Sequence, residues 1–126
     1  ILPKETILKL MSHNKDIAAG VYSYKLLNNT NAVAKRFVKD AEDTYEDITL
    51  KEIRESERLI EIDAVGFGCV LTKVDIFRNI PKPWFVYSPE MGEDVYFCRK
   101  AQEAGYKVYL DTSIKCGHIG QINYNI

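Results

Sequence analysis

Apolar residues recur along this chain in two rhythms. Near the start, Ile7, Leu8, Leu10 and Met11 fall at helical spacing behind Pro3, with Asn14 beyond them. This predicts a short helix over 3–14, since proline suits a first helical turn. From Asp16 to Tyr24 the rhythm changes. Ile17, Ala19, Val21 and Ser23 alternate with Ala18, Gly20, Tyr22 and Tyr24, and no charge follows Asp16. A strand with two uncharged faces belongs inside a sheet covered on both sides.

The pattern then weakens. Residues 25–58 hold an Asn-rich turn at Asn28–Asn31, an ambiguous apolar stretch from Ala32, and a mixed-sign segment from Lys51 to Arg58. Asp40, Glu42, Asp43, Glu46 and Asp47 place five acids in eight residues between them. The spacing is not that of an EF-hand, so a solvated loop is favoured over a cation site. The expectation is a variable excursion on the surface.

Regular signals return at Leu59–Val65, a second strand, followed by Gly66-Phe67-Gly68. Cys69–Thr72 resumes a strand, and Val74–Asn79 forms a short helix closed by Pro81 and Pro83. Gly92–Ala104 is the clearest helix, with Glu93 and Asp94 in its first turn and Gly105 as its C-terminal stop. Strands are predicted at Tyr106–Leu110 and Ile114–Ile119. Intermixed strands and helices indicate an α/β sheet layered with helices. The strands are too few for a complete doubly wound sheet.

Composition narrows the function. The chain has 126 residues, 46% of them hydrophobic, which fits one domain and excludes intrinsic disorder. A net charge of -1 argues against a whole-domain grip on nucleic acid or an anionic membrane. No apolar run is long enough for a transmembrane helix. Cys69, Cys98 and Cys116 form no CxxC pair, so a zinc ribbon is disfavoured. They read as buried thiols, consistent with a reducing, cytoplasmic setting.

Three constellations could carry chemistry. Gly66 and Gly68 let the backbone turn tightly or approach a ligand, although a ligand-free bulge explains them as well. Glu93 and Asp94 either satisfy helix-end amides or present a carboxylate able to accept a hydroxyl proton. Trp84, just ahead of them, could offer a flat face to a sugar or simply fill the core. A lone histidine beside apolar residues is usually structural, but Gly117 and Gly120 around His118 favour exposure in a tight loop and make a ligand role more plausible. Glu61 and Asp63 fall in a strand with both carboxylates on one face, a weaker candidate pair. His13 is expected at the surface.

The order and spacing of these pieces resemble the C-terminal half of GT-A-fold glycosyltransferases, the family 2-like group in particular. The matching runs are Asp63–Leu71, Phe77, Pro83-Trp84-Phe85, Gly92–Cys98, Ala104–Val108 and Cys116-Gly117-His118. The resemblance implies a partial GT-A fold, with a mixed sheet flanked by helices. It implies that Asp94 is the base that deprotonates an acceptor hydroxyl, with Glu93 orienting the acceptor or supporting that carboxylate. Gly66, Phe67, Gly68 and Trp84 would line the substrate pocket. His118 would complete a divalent metal site, Mn2+ or Mg2+, on the diphosphate of a nucleotide-sugar donor. The acceptor would be a glycan, a lipid or a small molecule.

The family's nucleotide-binding half, with its Asp-x-Asp metal element, has no counterpart here. The chain, opening at Ile1, is therefore expected to be a fragment of a larger catalytic fold and inactive alone. Gln-x-x-Arg-Trp is also absent, against a polysaccharide synthase. The alternative expectation is a non-catalytic domain that binds carbohydrate or protein. A truncated sheet would also expose an edge strand, favouring homo-oligomers.

Overall fold

The strand β1 (Ile17–Val21) is buried at every position and lies inside a four-stranded sheet of order β4-β7-β1-β6. The computed structural model describes residues 1–39, 44–120 and 123–124, the last pair through their backbone alone. β7 (Val108–Lys115) runs parallel to β1, whereas β6 (Val70–Thr72) and β4 (Leu59–Ile62) are antiparallel to their neighbours. The architecture is therefore α/β, a mixed sheet flanked by helices.

The first helix, α1 (Thr6–Ser12), starts later than Pro3 because Glu5 takes a left-handed conformation, φ 62°, just before it. Only Leu10 of its apolar side chains is buried; Ile7, Leu8 and Met11 stay exposed. α1 is nonetheless tied down at its end. His13 reaches Asp111 of β7 and is not a free surface residue.

Residues 25–58 are more than an excursion. They build β2 (Asn31–Phe37), β3 (Tyr45–Thr49) and α2 (Leu50–Glu55). Ala32, Ala34, Ile48, Leu50 and Ile53 enter the same core as Ile17, Phe97 and Leu110. Two of their neighbours make ion pairs on opposite faces of β2, Lys35 with Asp47 and Arg36 with Glu52. Thr49 caps α2 reciprocally with Glu52. Of the acidic cluster, Asp40, Glu42 and Asp43 lie outside the described residues. Glu46 and Asp47 are paired with Arg36 and Lys35.

The single strand expected over Leu59–Val65 is split. β4 pairs with β7, then the chain crosses at Asp63 and β5 (Ala64–Val65) joins β2 in a second sheet of order β3-β2-β5. Asp63 holds the crossing point. Its carboxylate accepts from the Phe37 N–H at 2.5 Å and the Gln102 amide at 3.0 Å. Conversely, the two strands expected after Tyr106 are largely one. β7 continues through Asp111 and Thr112 because both buried polar groups find partners, Asp111 in Ser113 and His13, Thr112 in the Glu57 carbonyl. A bulge opposite Gly20 and Val21 absorbs the irregularity.

α3 (Val74–Asn79) and α4 (Glu93–Glu103) match expectation. Gly105, at φ 93°, ends α4 in a conformation that disfavours other residues. Val95, Phe97, Cys98 and Ala101 of α4 are buried against the sheets. This anchors the first turn, and Asp94 with it. β8 (His118–Ile119) and β9 (Asn123–Tyr124) close the chain as a small ribbon. All three cysteines are buried free thiols. Among the described residues, no helix is long and apolar enough to cross a membrane.

Candidate functional site

Asp94 and His118 open onto two adjoining cavities that share Tyr24 and Val33 as lining residues. The cavity beside His118, about 470 Å³, is bounded by Tyr22, Gly68 and Cys116 as well. The His118 Nδ1 lies 2.7 Å from the Ser23 carbonyl oxygen. A carbonyl only accepts, so Nδ1 carries the proton and donates, which in a neutral imidazole leaves the lone pair on Nε2. The Tyr22 ring meets the imidazole edge-on at 5.2 Å and limits its rotation.

The cavity beside Asp94, about 300 Å³, adds Lys35, Val65 and Gly66. Asp94 is half-buried, and its Oδ1 accepts from the Val95 N–H at 2.8 Å. That bond fixes one carboxylate oxygen.

Tyr22 lines the His118 cavity and packs against Gly66, which lines the other. Its hydroxyl accepts from the Gly68 N–H at 3.0 Å. A Cβ on Gly66 would collide with the Tyr22 hydroxyl and with Val33, and one on Gly68 would come 2.7 Å from the Tyr22 ring. The two glycines are thus needed for the backbone to lie flat against this ring. Burial raises the Tyr22 phenol above its usual range. The Gly68 hydrogen bond opposes that shift, and the nearby Asp94 carboxylate adds to it.

The hairpin supplies the far wall. Asp47 accepts from the Tyr24 hydroxyl at 2.9 Å and from the Lys35 ammonium at 2.5 Å. Burial works against the Lys35 charge, but the hydrogen bonds and charges of Asp47 and Tyr24 together outweigh it and raise the ammonium's pKa.

No protein-family model matches this chain, and no curated protein matches it. Among solved structures, the chain is similar to the crystal structure of A197 from STIV. The TM-score is 0.56 at 22% identity, over 92% of this chain and 49% of that one. The chain thus spans about half the length of the solved structure it matches, and the likeness concerns the fold.

Not every predicted site residue reaches the cleft. Phe67 turns into an aromatic cluster, with its ring 5.3 Å from Phe97 and 5.7 Å from Phe85. Trp84 packs on Phe77 at 5.1 Å and donates its indole N–H to the Ile80 carbonyl. Both line neither cavity, because the apolar core claims their rings. Glu93 is exposed and also lines neither, one residue around the helix from Asp94. Glu61 is exposed while Asp63 is held at the sheet crossing, so they do not act as a pair.

Tyr22, Tyr24 and Lys35 went unpredicted as site residues. Tyr22 and Tyr24 sit on one face of the strand rhythm, two polar-tipped rings at the end of a central strand, and that signal was available. Lys35 had none, because it lies in the segment taken for an excursion.

His118 fits one position in a metal's coordination shell through its free Nε2. Among the described residues, no group of three or more His, Cys, Asp or Glu side chains gathers to hold an ion.

Proposed function

We propose that this chain forms the acceptor-side portion of a nucleotide-sugar glycosyltransferase of the GT-A type. One observation carries the reading: Asp94 and His118, distant in sequence, open onto adjoining cavities with shared walls. A carboxylate held by a helix N-terminus on one side suits an acceptor hydroxyl. An imidazole with a free Nε2 on the other suits the metal-bound diphosphate of a donor.

In this reading Asp94 accepts the proton of the attacking hydroxyl, and its bond to Val95 keeps it oriented. His118 would contribute Nε2 to a Mn2+ or Mg2+ ion, whose chemistry would be to neutralise the departing nucleoside diphosphate. Tyr22 keeps the two groups in register. The free buried thiols support a cytoplasmic, reducing setting. Self-association through the β6 edge belongs to the same proposal and is checked by light scattering.

The test is transfer from a UDP- or GDP-sugar by the full-length protein. Asp94→Asn is expected to lower turnover by about 10²–10⁴-fold with the fold intact, the range for loss of a general base. Unchanged turnover in that variant would remove the base assignment. Glycan binding by the chain with no dependence on nucleotide or metal would favour the non-catalytic alternative instead.

A further inference from the structure

Building on the acceptor-side reading, we propose that the cavity beside Asp94 selects a neutral, polyhydroxylated sugar as acceptor and rejects phosphorylated or carboxylated ones, with Lys35 and Tyr24 as its positioning residues.

The argument rests on which charges line this space and which are already satisfied. Lys35 and Asp94 face the same cavity of about 300 Å³, a size at the small end for ligand sites. An isolated lysine there would invite an anion. This one is paired, with its ammonium 2.5 Å from Asp47 Oδ1. Asp47 also accepts from the Tyr24 hydroxyl and from the Asn31 amide at 3.4 Å, so the carboxylate is held in place. With Lys35 neutralised, Asp94 sets the sign of the cavity. A phosphate or carboxylate entering it would meet a like charge at close range.

Neutral hydroxyls meet the opposite situation. The ammonium has three N–H groups; Asp47 engages one and the Tyr24 oxygen a second, leaving one for an incoming oxygen. The Tyr24 oxygen donates its proton to Asp47 and accepts from Lys35, which leaves a lone pair to accept with. Asp94 accepts. Donors and acceptors thus both face a cavity whose remaining walls are Val33, Val65, Val95 and glycine backbone. A sugar ring presents the complement, hydroxyls that both donate and accept on an otherwise apolar frame.

The test is an NMR titration of the chain, following the backbone amides of Gly66, Gly92 and Val95. The probes are methyl glycosides of glucose, galactose and mannose, against the matching hexose 6-phosphates. At least one neutral glycoside is expected to shift these amides and to bind roughly tenfold more tightly than its phosphate. Lys35→Met is expected to weaken that binding about fivefold. Asp47→Asn, which frees the ammonium, is expected to turn the preference toward the phosphate. Equal or tighter binding of a phosphate by the unaltered chain would overturn the proposal, as would amides that respond to none of the glycosides. The titration needs no donor and no metal. A chain that binds neutral glycosides here but never transfers sugar keeps this inference and loses the transferase reading. Transfer onto a phosphorylated sugar does the reverse.

Discussion

The Nε2 of His13 lies 2.6 Å from Oδ2 of Asp111, joining the end of α1 to a carboxylate wholly buried in β7. The same carboxylate accepts from the Ser113 hydroxyl at 2.6 Å and the Ser113 N–H at 2.9 Å. Burial alone would raise the Asp111 pKa. The hydrogen bonds from Ser113 and His13 outweigh it and hold the carboxyl below its usual range. A depressed folded-state pKa contributes stability that is present above the unfolded value, about 3.9, and lost as pH falls through the folded one. Asp111→Asn is therefore expected to cost ~1.5–3 kcal/mol near neutral pH, the contribution of hydrogen bonds to a charged group. Urea midpoints across the pH range should show that difference shrinking below about pH 4. A gap that stays constant with pH would contradict the assignment.

Gly66 and Tyr22 make a second test. Gly66→Ala drives a methyl into the Tyr22 hydroxyl and Val33, and overpacking of this kind costs ~1–3 kcal/mol. Tyr22→Phe removes the atom in the way. In the double variant the two changes should be coupled, with Tyr22→Phe recovering part of the Gly66→Ala loss. Strict additivity in denaturant melts would mean that the ring is not what the glycine accommodates.

The start of α2 offers a residue-level check on the hairpin. Glu52 accepts from the Thr49 backbone N–H at 2.8 Å, from the Thr49 hydroxyl and from Arg36, which lowers its pKa to about 2. An NMR titration of the Glu52 side chain should find its midpoint well below that of an ordinary glutamate. The stability that it adds is present above pH ~4.3 and fades as pH falls toward that midpoint. Thr49→Ala should move the midpoint up and cost ~1 kcal/mol of stability, as loss of an N-cap does.

Cys98 should be inert. Burial pushes its thiol up to about 12, and its nearest polar partner is the Val65 carbonyl at 4.0 Å. The thiolate is the reactive form. Alkylation of the native chain at mildly alkaline pH is expected to spare Cys98, and denaturant to expose it. Early modification of Cys98 in the folded state would show that α4 opens more readily than its packing implies.

Much of the scaffold was legible from periodicity, and the misses have local causes. β1 and α4 were clear because each has an uninterrupted apolar rhythm, backed for α4 by Gly105. This segment was obscured because its buried residues include the small Ala32 and Ala34, with the charged Lys35 and Arg36 beside them. It looks solvated until Lys35 is seen to find Asp47 of β3 and Arg36 to find Glu52 of α2. Asp63 hid a change of sheet, since a strand that switches partners keeps its alternation. Asp111 hid a continuation, since a buried carboxylate looks like a strand end unless its partners are known. At the site, Asp94 and His118 were visible through their glycine neighbours. Trp84 and Phe67 were overvalued, because an aromatic beside a glycine serves the core as readily as a ligand.

The crossing at Asp63 has a broader result. By carrying the chain from one sheet into the other, it brings β2 alongside β5 and puts Lys35 across a single cavity from Asp94. The wall that greets an incoming molecule and the carboxylate opposite it belong to separate stretches of chain. A substitution in the hairpin can therefore change what the cavity admits while leaving α4 and its first turn as they are.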